Sequence, residues 1–222
     1  MTEAISYPEI SINQRERHMT FTSFPARILA CSLMLSGSMG LAQAEGGKFT
    51  LSSPDLKGKK FDNQFVLNGF GCKGGNVSPA LEWKNLPAGT KSLSLQVHDP
   101  DAPTGAGFWH WTVYNMPATT TGLAQGAGNS PQTLPAPAFG GATDFQDTGA
   151  TGVNGNYGGP CPPEGDKPHR YVFKLYALAV DDVQAAAGIP KTGSASLHSF
   201  VLNKGIGKGL LGTASFTATY KR

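Results

Sequence analysis

The sequence predicts an all-β domain, a sandwich or barrel with minor helices. Two observations carry that reading. Short apolar runs of β character recur between turn signals, and 29 glycines and 16 prolines are spread along the 222 residues. Helical periodicity, by contrast, is scarce.

Each element follows from local pattern. Lys91 to Val97 alternates, with Leu93, Leu95 and Val97 on one face. Trp109 to Tyr114 and Tyr171 to Val180 are further strand-like runs. Thr213 to Tyr220 places Ala214, Phe216, Ala218 and Tyr220 on one face. Asp181 to Ala187 reads as a short helix stopped by Gly188 and Pro190. Ser194 to Lys204 reads as another, with Ser194 or Ser196 as its cap and Gly205 as its stop. From Ala118 to Gly159 the chain is rich in Gly, Thr, Ala, Asn and Pro and has almost no strand pattern. A segment of that length inside one domain points to a functional or mobile loop.

The N-terminal part reads as an export signal. Arg27 precedes an uncharged, largely apolar stretch from Ile28 to Leu41, and the small-x-small triplet Ala42-Gln43-Ala44 follows it. The predicted organisation is a leader over residues 1–44, cleaved after Ala44, with Met19 as an alternative start, and a single domain over residues 45–222. The apolar stretch is too short and too rich in Gly and Ser for a membrane span. Cys31 lies only four residues after Arg27, which leaves no apolar segment ahead of it for a lipidation signal. The expected location is periplasmic or secreted.

A net charge of +3 with no clustered basic run argues against nucleic acid as a partner. Cys72 and Cys161 remain after cleavage. In an oxidising compartment an even count favours a disulfide, and both residues sit in Gly/Pro-rich loops. Two separate buried thiols are the alternative.

Residues able to do chemistry cluster in three short stretches. The first is His98-Asp-Pro-Asp-Ala-Pro103, where Pro100 and Pro103 hold Asp99 and Asp101 in a rigid turn. The second is Phe108 to Pro117, where strict alternation sets His110, Thr112 and Tyr114 on one face against Trp109, Trp111 and Val113 on the other. A histidine among tryptophans is poorly hydrated and needs a carboxylate, a carbonyl or a bound anion. The third runs from Gly158-Gly-Pro to His169-Arg-Tyr171, where His169 and Tyr171 share a face and Arg170 opposes them. Singly, each stretch reads as a turn or as core. Together, Asp99, Asp101, His110, His169 and Tyr171 suit the rim of one pocket. Imidazole N–H, phenol O–H and glycine N–H groups would meet phosphate oxygens there, and a carboxylate would orient a histidine or receive an ammonium.

At these residues the chain resembles the phosphatidylethanolamine-binding protein (PEBP) family, and most closely its bacterial, Raf-kinase-inhibitor-like branch. Asp99 to Pro103, Trp109-His110 with its strand to Asn115, and Gly158-Gly-Pro through Tyr171 stand in the family's order and spacing. Asn68 to Cys72, Ser78 to Trp83 and Leu86 to Thr90 extend the likeness, which covers Phe49 to Lys221. The resemblance implies an antiparallel Greek-key β-sandwich. It also implies a pocket contacted by Asp99, His110, His169 and Tyr171, with Asp101 and the Gly159-Pro160 backbone close by. The implied ligands are phosphate-bearing or acetate-like anions and phospholipid head groups. Two departures stand out. Trp111 replaces the family's second histidine, and nothing after Tyr220 could form the C-terminal helix of eukaryotic members. Eukaryotic partners therefore do not carry over.

The expected function is non-catalytic binding of a small anionic or zwitterionic ligand such as phosphate or phosphoethanolamine, with no cofactor and no metal. A metal-dependent hydrolase would use the same two histidines and two aspartates, or Cys161 as nucleophile, but neither a His-Glu-x-x-His pattern nor a Gly-x-Ser-x-Gly elbow is present. A protein-interaction or inhibitor module would present the Ala118 to Gly159 loop to a protein target. No residue pattern decides on a homodimer.

Overall fold

The structure, a computed structural model, describes residues 47–222 apart from Asp147. The predicted leader, its cleavage point and Cys31 lie outside the described residues.

Ten strands appear in this order: β1 (Thr50–Ser52), β2 (Asn68–Gly69), β3 (Cys72–Lys73), β4 (Leu81–Lys84), β5 (Ser92–Asp99), β6 (Phe108–Pro117), β7 (Gly122–Leu123), β8 (Phe139–Gly140), β9 (His169–Leu178) and β10 (Leu210–Tyr220). The larger sheet runs β10-β9-β5-β6-β8 and the smaller β1-β4-β7, with β2-β3 a separate hairpin. Every ladder is antiparallel. The four predicted runs are the four long strands of the larger sheet. The short strands β1, β4, β7 and β8 carry too few residues to show an alternation.

The period of two decides which residues meet. Leu95 lies opposite Val113 on one side and Leu175 on the other. With Leu93, Val97 and Phe173 they form one face, which joins Leu51, Leu81 and Trp83 of the smaller sheet in a single core. Each large side chain fully buried in this way contributes about 1.5–3 kcal/mol. The alternate residues Tyr114, Tyr176 and Leu178 face the other way. They pack under Val183, Val201 and Leu202 of the helical segment in a second core.

The helices start and stop where their caps stand. Helix α1 (Val183–Ala187) begins at Asp182, whose carboxylate accepts the Gln184 and Ala185 N–H groups at 2.9 Å each, and it ends at left-handed Gly188. Helix α2 (Ala195–Phe200) is capped by the Ser194 hydroxyl, and it continues through one wider turn to Gly205.

The Ala118 to Gly159 segment is a packed cover. Tyr157 is buried and donates its hydroxyl to the Phe65 carbonyl at 2.8 Å. Gly128 lies against Trp111 so closely that an added Cβ would fall 2.6 Å from the indole ring. This packing, which the weak strand pattern conceals, makes the segment part of the core.

Cys72 and Cys161 are joined as a disulfide. It ties the β2-β3 hairpin to the Pro-rich stretch that leads into β9.

Candidate functional site

Three of the predicted residues reach one place by simple alternation. Asp99 ends β5 on the same face as Val97. His169 and Tyr171 begin β9 on the same face as Phe173. Asp99, His169 and Tyr171 are all buried, while Arg170 between the latter two is exposed.

His110 arrives by another route. Trp109 pairs with His98 and Trp111 pairs with Val97, so His110 is the extra residue of a β-bulge. The bulge turns its ring to the Trp111 side, where it meets Tyr171 edge-on with centroids 5.0 Å apart. Trp109 stays on the reverse face, against the His98 ring at 4.1 Å. Strict alternation opposed His110 to Trp111. That expectation is corrected, because the count runs through a bulge that no turn residue announces.

These four residues, with Phe70, Phe108 and Phe145 among the walls, line a cavity of about 140 Å³. That is well below the roughly 300–1,000 Å³ of pockets that enclose drug-sized ligands. The aromatic walls were not legible as site residues. Phe145 sits in the weakly patterned segment, and Phe70 shows itself only by its position in the β2-β3 turn, where it is 57% exposed.

The polar atoms are arranged as a chain. His169 Nδ1 donates to Asp99 Oδ2 at 2.7 Å, and Nε2 lies 3.3 Å from Asp166 Oδ2. Asp99 Oδ1 accepts the Asp101 N–H at 2.9 Å, which closes the turn over Pro100. His110 Nδ1 donates to the Gly158 carbonyl at 2.9 Å. Burial is the main cause that pushes His110 down to about 4, partly opposed by that bond, so the ring is neutral at pH 7. Its Nε2 is then an acceptor, and it has no protein partner among the described residues. The Tyr171 hydroxyl is buried beside the Asp99 carboxylate, with no hydrogen bond of good geometry among the described residues. Burial, and next the Asp99 charge, hold the phenol far above its usual range, so it remains a donor.

Three expected contacts lie elsewhere. Asp101 does not line the cavity. Its carboxylate takes Arg170 Nε at 2.8 Å and Nη2 at 3.0 Å, and the hydrogen bond from Arg170 holds its carboxyl well below the usual range. Gly159 and Pro160 stand behind the wall. The Gly159 N–H donates to Asn76 Oδ1 at 2.8 Å, and the Pro160 carbonyl accepts the Leu67 N–H at 3.2 Å. The donors expected from the glycine backbone are already committed, and Cys161, Pro162 and Pro163 form the wall in their place. The His110 N–H, also expected as a ligand donor, is spent on the Gly158 carbonyl.

The cavity wall thus holds one buried hydroxyl and one imidazole acceptor that lack a well-formed partner among the described residues, between aromatic side chains. That pair suits an oxyanion that also carries a proton, or a zwitterion whose ammonium donates. Among the described residues no three His, Cys, Asp or Glu side chains converge as metal ligands.

Comparison with known proteins agrees with this architecture. A model of the phosphatidylethanolamine-binding protein family matches residues 57–220. The UPF0098 protein YbcL of Escherichia coli is 42% identical over 180 residues, covering 80% of this chain and 90% of the relative. Its crystal structure, described as that of a member of the mammalian PEBP family, superposes with a TM-score of 0.66 over 78% of this chain and 98% of its own. The UPF0098 protein YbhB of the same organism is 43% identical over 139 residues, covering 62% of this chain and 83% of the relative. A PEBP homologue from Chlamydia trachomatis, CT736, gives a TM-score of 0.56 at 26% identity, covering 78% of this chain and 97% of its own.

Proposed function

We propose, from the premise that this chain belongs to the phosphatidylethanolamine-binding protein family, that it is an exported binding protein without catalytic activity. Its ligand is a small phosphate-bearing or zwitterionic group of the phospholipid head-group type. The ligand sits among Asp99, His110, His169 and Tyr171.

The Tyr171 hydroxyl, buried without a hydrogen bond of good geometry among the described residues, carries this reading. An orphaned buried donor costs about 1–3 kcal/mol, and a ligand oxygen in the cavity removes that cost. The neutral His110 supplies the complementary acceptor. The cavity's size admits a head group and not an acyl chain. The disulfide and the leader-like stretch from Arg27 to Ala44 both suit an oxidising, extracytoplasmic compartment. Cys161 is bonded to Cys72 and offers no nucleophile.

A thermal shift assay tests the reading. Phosphoethanolamine should raise the melting temperature of the wild type, and the rise should vanish in His169→Ala. An equal rise in both proteins would place the ligand elsewhere.

A further inference from the structure

The strands that carry the cavity have a reverse face, and a second pocket of about 240 Å³ lies there. Trp109, His98, Lys174, Tyr176, Ser199 and Asn203 are among its lining residues, and none of the residues lining it is acidic. Adjacent residues alternate between the two sites: His98 with Asp99, and Trp109 with His110.

Two features of this pocket lack an internal explanation. The first is Lys174. The residue is half-buried, and its ammonium donates to Asn203 Oδ1 at 2.7 Å and lies 4.7 Å from the centre of the Tyr176 ring. No carboxylate stands within ion-pair distance of it among the described residues. Burial pushes its pKa below the ordinary lysine value. A partly desolvated cation held only by neutral groups is under-compensated, and a ligand anion would complete it. The second is Trp109. Trp83 and Trp111 are buried, while Trp109 presents its indole to the pocket, flanked by the His98 ring. A half-buried indole and a cation that line one pocket suit a flat or cyclic body more than a bare ion.

We infer that this pocket is a second ligand site that takes a carboxylate borne on a six-membered ring, with the carboxylate on Lys174 and the ring against Trp109. Two sources share that chemistry, an aromatic acid and a uronic acid sugar. The site is independent of the head-group cavity, whose His110 and His169 lie on the opposite face of the sheet.

Tryptophan fluorescence tests it, since Trp109 is the one of the three tryptophans that is not buried. The full protein is titrated with benzoate and, separately, with glucuronate. At least one should change the emission saturably, and which one does so identifies the source. The affinity should fall tenfold or more in Lys174→Gln and return in Lys174→Arg. The inference is overturned if neither compound gives a saturable change, if Lys174→Gln binds as the wild type does, or if Lys174→Arg stays as weak as Lys174→Gln.

Discussion

His169 Nδ1 stands 2.7 Å from Asp99 Oδ2, with both side chains almost sealed from water at 2% and 3% exposure. A buried pair of this kind is costly to break from either side, because the remaining partner keeps its desolvation cost. Asp99→Asn and His169→Gln should therefore each destabilise the fold, and the double variant should cost less than their sum. Urea denaturation of the four proteins should give a coupling of about 1–3 kcal/mol. Strict additivity would mean that the two side chains do not act as a pair.

His110 makes stability depend on pH. Its folded value of about 4 lies below the ordinary 6.5, so between these values the unfolded chain binds the extra proton. Stability should rise with pH through that window and be lost on acidification. The full amplitude is on the order of 3 kcal/mol. Unfolding midpoints from pH 4 to pH 7 should show a flatter profile in His110→Gln than in the wild type. His198, which burial also lowers, is present in both proteins, so the difference isolates His110.

Much of this site was legible because it lies on regular strand ends. Asp99, His169 and Tyr171 reach the cavity by counting in twos along β5 and β9, and the four long strands show their alternation openly. The sequence marks His110 as a site residue, but strict alternation sets it on the face opposite Trp111. A bulge is a matter of register between two strands, and register is not written in either strand alone. The aromatic walls escaped notice for a related reason. Phe145 and Phe70 reach the cavity from segments whose course is set by tertiary packing. From the sequence Gly159 reads as a ligand donor, because glycine permits close approach. The approach is real, but it is to the chain's own backbone.

That approach gives a further prediction. A Cβ on Gly159 would fall 2.2 Å from the Phe65 carbonyl oxygen and 2.6 Å from the Leu67 nitrogen. Neither atom can move without shifting backbone. Gly159→Ala should lose about 1–3 kcal/mol, the usual cost of overpacking. A melting temperature equal to that of the wild type would show that the segment adapts freely.

The disulfide spans 89 residues of sequence and anchors the Phe70 turn beside the cavity. Closing a loop of that length is worth about 4.6 kcal/mol in the chain-entropy model. The Cys72→Ser/Cys161→Ser variant should lose stability of that order in chemical denaturation. Non-reducing peptide mass spectrometry of the wild type should find the two cysteines linked. Two free thiols in exported protein would contradict the pairing.

The most direct test concerns the Tyr171 hydroxyl. In the free protein that group is buried with no hydrogen bond of good geometry among the described residues, so Tyr171→Phe should leave stability unchanged or raise it by up to about 1 kcal/mol. The same substitution removes the donor assigned to the ligand. Isothermal titration calorimetry with phosphoethanolamine should show binding to the wild type and an affinity about tenfold weaker in Tyr171→Phe, the equivalent of about 1.4 kcal/mol. Equal affinities, or no binding to either protein, would contradict the account.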